Sequence, residues 1–314
     1  MTTRHHLPAV PDQLKWGAFS AGFEPVLTID SGDTVDVDNV HGGPGQFPDD
    51  YLLRLLPEHR QFLDNFQPIL PGHIMNGPIH VRGAEPGDTL EVRVLDVRLR
   101  QDWAWNMIIP LRGTLPEDFP DRRILGIELD REAMVARMPW GGTIPLDPFF
   151  GVIGTLPPAE WGTISSIAPQ AHGGNLDIKE LRPGSTLYLP VFNEGAGLMV
   201  GDGHATQGDG ESCLSAAETS LSGTFEVHVR KDLRTGMPRA ETPTHHITIG
   251  IDQDLDDAAR QAIREMIVLI RRLTGLSAED AYTLCSLAGD VRISQLVNVN
   301  KGCHMMLAKS VLEF

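Results

Sequence analysis

One short phrase is written three times along this chain: Ser31-Gly32-Asp33-Thr34-Val35, Pro86-Gly87-Asp88-Thr89-Leu90 and Pro183-Gly184-Ser185-Thr186-Leu187. In each copy a glycine able to take positive φ precedes a short polar side chain that bonds the local backbone, and a β-branched Thr opens the next segment. Alternating runs follow, such as Thr34-Val35-Asp36-Val37 and Thr89-Leu90-Glu91-Val92-Arg93-Val94, the pattern of half-buried strands. The copies are unevenly spaced, which excludes a solenoid or propeller and predicts a sandwich in which one hairpin entry recurs. Gly and Pro number 32 and 23, above their usual combined share of about 12%, so the runs between turns stay short.

The pattern changes after Gly250. Leu255, Ala259, Ala262, Ile263, Met266, Ile270 and Leu273 fall at three- and four-residue steps, with Asp252, Asp254, Asp256 and Asp257 before them, Arg271 and Arg272 at the end and Gly275 beyond. That is a capped amphipathic helix. Ser277-Ala278-Glu279-Asp280 opens a second helix, and apolar strands are expected at 293–299 and 304–307. The expected fold is mainly β: a sandwich body over residues 1–250, with a small α+β subdomain over 251–314 packed on it.

Composition excludes several functions. With 26 Lys+Arg against 42 Asp+Glu the formal net charge is −16, and no basic patch reverses it, which argues against nucleic-acid binding. No apolar run approaches the roughly 18 residues of a membrane span, and the first twenty residues lack the apolar core of a secretory signal. Cys213, Cys285 and Cys303 have no CxxC spacing, so a reducing, cytoplasmic setting is expected rather than a disulfide framework or thiolate zinc site.

The chemistry concentrates in residues 193–218. Asp202, His204, Gln207, Asp209 and Glu211 stand interleaved with Gly201, Gly203, Gly208 and Gly210, and nothing between Gly201 and Glu211 can build a core. Oxygen ligands and an imidazole on a glycine-hinged backbone suit a divalent cation or an oriented water. Asp202 and His204 are two apart, as are Asp209 and Glu211, so on extended backbone each pair points one way. The calcium-loop template fails, because Cys213 stands where it needs a bidentate Glu. His172-Gly173-Gly174-Asn175-Leu176-Asp177 is a second constellation, with Asn175 and Asp177 on one side of a strand. A third is Asp38-Asn39-Val40-His41-Gly42-Gly43, an imidazole at the tip of a turn. His73 and His80 flank another turn, and Lys179, Glu180 and Arg182 read as a solvated turn. No GxSxG elbow exists, and Cys213, beside acids, reads as an inert buried thiol.

These phrases carry a resemblance. Gly77-Pro78-Ile79 with Glu85-Pro86-Gly87-Asp88-Thr89-Leu90, Pro148-Phe149-Phe150-Gly151-Val152-Ile153-Gly154, His172-Gly173-Gly174-Asn175-Leu176-Asp177, Val200-Gly201-Asp202-Gly203-His204-Ala205 with Gln207-Gly208-Asp209-Gly210-Glu211, and Asp290-Val291-Arg292-Ile293-Ser294-Gln295-Leu296-Val297-Asn298 occur in that order. The chain resembles the acetamidase/formamidase family over nearly its whole length. The resemblance implies a jelly-roll-like β-sandwich with a C-terminal α+β piece, a divalent metal (zinc or calcium), a homo-oligomer, and hydrolysis of small linear amides to ammonia and a carboxylate. Where the family commonly has an acidic residue near the first strand, this chain has His41, a more zinc-like ligand.

Amide hydrolysis needs a strong nucleophile and a proton for the departing nitrogen. His204, Asp202, Asn175, Asp177 and His41 are expected on the metal side, Glu211 or Asp209 as acid/base with Glu211 preferred, and His172 and Gln207 against substrate. Trp103, Trp105 and Met107 either line a pocket or belong to the core. The rivals are a relative acting on another carboxamide and a non-catalytic metal- or ligand-binding sandwich. A copper sandwich would use His41 with Cys303, His304 and Met305, which stand too close together for that role.

Overall fold

The three copies of the repeated phrase form the same turn in the computed structural model, which describes residues 2–313. Gly32, Gly87 and Gly184 have φ of 97°, 94° and 92°. The amides of Asp33, Asp88 and Ser185 donate back to the carbonyls of Asp30, Glu85 and Arg182, each at 3.0 Å. The strands they open, Thr34–Asp38, Thr89–Leu99 and Thr186–Pro190, all join one nine-stranded sheet, with Leu221–Arg230 between the first two. A six-stranded sheet faces it, containing Gly173–Asn175, Phe149–Gly154, Ala196–His204 and Ile74–Val81 in that order.

Alternation makes the core. Val35, Val37, Leu90, Val92, Val94, Leu187 and Phe225 from the large sheet share one buried cluster with Ile79, Val81, Phe150, Leu198 and Val200 from the smaller. Phe150 and Phe225 meet across the gap with ring centroids 5.6 Å apart. The fold is therefore mainly β, as the periodicity predicts. A four-stranded side sheet runs off the sandwich and includes Trp103–Ile108 and Arg123–Asp130.

Three α-helices occur among the described residues: α1 (Pro57–Asn65), α2 (Leu255–Thr274) and α3 (Ala278–Ala288). Asp254 caps α2 by accepting from the amides of Asp256 and Asp257, and Gly275 ends it in the left-handed region. Ser277 caps α3. The last two strands, Gly289–Gln295 and Lys301–Ala308, continue the nine-stranded sheet beyond His245–Asp252. Met306 faces the sandwich core, while its neighbours Met305 and Leu307 pack against Ala262, Met266 and Ile270 of α2. Gly250 is required beneath that helix, because a Cβ there would stand 1.9 Å from the Ala258 carbonyl oxygen. The strand expected over 293–299 instead ends at Gln295. Gln295 accepts from the amides of Val297 and Asn298, and Val299 has a φ of 67°, so residues 296–300 fold into a turn.

Candidate active site

The Ala196–His204 strand is buried at every position and ends on Asp202 and His204. Their side chains converge as the two-residue spacing predicts, with His204 Nε2 at 3.4 Å from Asp202 Oδ1. The neighbouring strand makes room: at Gly151 a Cβ would lie 2.4 Å from Asp177 Oδ1 and 2.4 Å from Asp202 Oδ2.

His41 enters from the turn after Thr34–Asp38. Its Nε2 lies 3.0 Å from Glu218 Oε2 and 3.3 Å from Asp202 Oδ1, and its ring stacks on Trp105 with centroids 5.6 Å apart. Glu218 is held by paired backbone bonds with Trp105 of 2.8 and 3.0 Å, and its Oε2 is also 3.2 Å from His204 Nε2. On the other side of His204, Asp177 Oδ1 is 4.0 Å from Nδ1, and Glu211 joins Asp177 and His204 in a second close donor group. Asn298 donates to Asp177 Oδ2. His73 completes the ring at 3.9 Å from Asp202. A cavity of about 260 Å³ opens onto His41, His73, Asn175, Asp202, Glu211 and Glu218.

The charges sort themselves by environment. Burial alone would raise Asp202, but His73, His204 and His41 outweigh it and hold the carboxylate ionised. Burial opposes charge on His204, yet Glu218 and Asp202 lift it well above the usual imidazole range; Glu218 and Asp202 likewise raise His41 against its burial. Burial and the nearby Asp202 push Asp177 up to about 7. Burial and Asp177 drive Glu211 well above the ordinary carboxylate range, so negative charge on both members of the Asp177–Glu211 pair at once is disfavoured.

Other expected residues lie elsewhere. Asn175 lines the cavity, donating to Ile167 O at 3.1 Å and leaving its buried Oδ1 without a partner. Asp209 does not follow Glu211 inward. Gly210 and Glu211 have φ of 91° and 46°, which breaks the alternation, and Asp209 instead pairs with Lys179 at 2.8 Å and Arg292 at 3.1 Å. Gln207 lies behind the wall, donating to the carbonyls of Asp177 and Ser294. His172 is buried outside the cavity against Phe19 and Trp161, its two ring nitrogens unpartnered among the described residues. Glu180 is buried beside His304 and Arg292 rather than solvated. Cys213 is half-buried, within 3.2 Å of Asn106 Nδ2. Trp105 and Met107 line the cavity, whereas Trp103 packs in the core against Phe47. Cys303 and Met305 alternate with His304, and His304 bonds Ser294, so these three cannot converge on copper. Sequence reasoning missed Glu218, Asn298 and Gly151; of these Gly151 and Asn298 carried a signal, each lying within a family phrase.

The donor set fits a divalent cation. Asp177 Oδ1 and Glu211 Oε2 are buried without a hydrogen-bond partner, Glu218 Oε2 and the His204 nitrogens make ion-pair contacts within the cluster, and two groups of three, His41 with Asp202 and Glu218 and Asp177 with His204 and Glu211, keep their ligand atoms within 4.8 Å of one another. A β-sandwich that gathers buried carboxylates and imidazoles around one small cavity has the frame of a hydrolytic enzyme.

Comparison with known proteins gives the family. The acetamidase/formamidase family model matches residues 22–162 and 159–314. A crystal structure of an acetamidase from Bacillus halodurans superposes with a TM-score of 0.85 at 32% identity, covering 98% of each chain. That of a predicted acetamidase/formamidase from Thermoanaerobacter tengcongensis does so at 0.86 and 29%, covering 100% of this chain and 98% of the other. A formamidase from Methylophilus methylotrophus is 27% identical over 320 residues, 77% of each protein. The chain belongs to the acetamidase/formamidase family.

Proposed function

We propose that this protein hydrolyses the C–N bond of a small linear carboxamide, adding water and releasing ammonia and a carboxylate. The observation that carries the reading is the convergence of His41, Asp202, His204 and Glu218 on one buried point, with the Glu211 carboxyl facing the same cavity. His41, His204, Asp202 and Glu218 would hold a divalent cation, and their mixed nitrogen and oxygen donors suit zinc better than calcium, which takes oxygen ligands. Such a cation would polarise the amide carbonyl and lower the pKa of water.

The chain's own groups supply the rest. Glu211 faces the cavity from the same 205–220 connection that carries Glu218, seven residues before it, and its Oε2 has no hydrogen-bond partner. It takes a proton from water as the oxygen closes on the carbonyl carbon, and returns it to nitrogen as the C–N bond breaks. Asn298 keeps the Asp177 carboxyl turned towards His204, and Gly151 leaves the space in which Asp177 and Asp202 lie side by side.

Ammonia release across a panel of amides, with and without chelator, tests the activity. Glu211→Gln is expected to lose turnover at least 100-fold while zinc content stays near that of the parent; an active variant would remove Glu211 from the mechanism. The three unpaired cysteines support a reducing, cytoplasmic setting. Exposed Leu111, Phe119 and Trp140 support self-association into a homo-oligomer. Among the described residues no helix is long and apolar enough to cross a membrane.

A further inference from the structure

The donor cluster occupies only part of the cavity it faces. Trp16, Ile109, Ile167, Leu214 and Val297 also line it, and these five apolar side chains come from five separate stretches of chain. They are half-buried, whereas His41, Asp202, Glu211 and Glu218 are buried, so the apolar group stands nearer the opening. Leu214 has a φ of 122°, a backbone region costly for a residue with a side chain and one that clusters at binding sites. A carboxamide head has three heavy atoms, and formamide has nothing more. The cavity of about 260 Å³ is many times the roughly 15 Å³ that lodges one water. With formamide or acetamide aboard, the apolar ring would border water and contribute nothing to binding.

Resting on the amide-hydrolase reading above, we propose that the acyl group of the substrate is a larger apolar one, and that this ring receives it. The substrates are then carboxamides such as butyramide, hexanamide or benzamide, with formamide and acetamide poor ones. The amide lies against the donors, and the hydrocarbon extends past Leu214 towards Trp16 and Val297. Ring contacts made throughout the reaction raise kcat/KM by the transfer energy of each methylene, about fourfold per carbon.

The test measures kcat/KM for formamide, acetamide, butyramide, hexanamide, benzamide and succinamate on the zinc-loaded protein, its Ile109→Trp variant and its Val297→Ala variant. The expected result is a rise of about 15-fold from acetamide to butyramide, and a fall of at least tenfold in the butyramide-to-formamide ratio for Ile109→Trp. Val297→Ala covers the case in which the larger side chain disturbs folding, and it should lower the hexanamide-to-formamide ratio severalfold. Formamide turnover with no gain along the series would overturn the inference and leave amide hydrolysis standing. A preference for succinamate would overturn it too, assigning the mouth to Arg112, which also lines the cavity. Failure to release ammonia from any amide would sink both readings.

Discussion

At the scale of single residues, the site depends on one position with no side chain. Any Cβ on Gly151 collides with the facing oxygens of Asp177 and Asp202, so Gly151→Ala must push the two carboxylates apart. The expected outcome is a loss of at least 100-fold in kcat/KM, with a destabilisation of about 1–3 kcal/mol typical of overpacking, separable by activity and urea denaturation of the same sample. Glu218→Gln keeps the volume and removes the charge that His41 and His204 share. Zinc affinity measured by competition with a chelator is expected to fall at least 100-fold; unchanged affinity would exclude Glu218 as a ligand. These positions also mark how far single residues could be read from the sequence. Asp202 and His204 were legible as a two-residue pair at the end of a strand, although Asp202 has a φ of 63°, so alternation alone does not fix their direction. Asp209 and Glu211 were not separable, because two successive positive φ angles intervene and no pattern of residue types announces which acid turns inward. Glu218 gave no signal, since what aims it is a long-range backbone pairing with Trp105.

At the scale of elements, the turn over 296–300 connects the end of the chain to the site. Gln295 is fully buried, donates to Asn300 O at 2.7 Å and accepts from the amides of Val297 and Asn298 at 2.9 and 3.0 Å. Those bonds set the turn from which Asn298 reaches Asp177. Gln295→Ala is expected to destabilise by about 2–4 kcal/mol through lost bonds and a cavity, and to lower activity, because Asp177 then loses its oriented donor. A control comes from α2, remote from the chemistry: Asp254→Ala removes an N-cap and should cost about 1 kcal/mol with kcat and KM unchanged. Helices α2 and α3 and the three repeated turns were legible because capping and turn chemistry are local, whereas α1, which has no side-chain cap, was not read. The turn was not, because Leu296 and Val297 read as a continuing strand, and only the side-chain bonds of Gln295 divert them.

For the whole molecule, acid is the expected weakness, and buried imidazoles set the window. His59, held against the Gly42 carbonyl, is lowered by burial to about 4, and His172, packed against Phe19 and Trp161, is lowered by burial to about 3. Both stay neutral in the folded protein while an unfolded imidazole takes a proton below about 6.5. The unfolded state therefore binds more protons as pH falls, and stability drops progressively from about pH 6.5 until the folded values are reached. At pH 5 each group costs about 2 kcal/mol relative to pH 8 by that linkage. His41 and His204 have raised values and act with the opposite sign: their contribution is fully present below the unfolded value and fades as pH rises through the folded one. A comparison of variants isolates one imidazole from this mixture. In metal-free protein, the loss of stability between pH 8 and pH 5, read from urea midpoints, should shrink by about 2 kcal/mol in His172→Leu, which also removes two unpartnered nitrogens. Parallel losses in parent and variant would mean that His172 is already charged in the fold, which its apolar surroundings and lack of a partner oppose. Zinc-supported activity of the same variant should match the parent, since His172 lies outside the cavity. A selective rise in KM would return it to the substrate-binding role its place beside Asn175 and Asp177 in the sequence suggests.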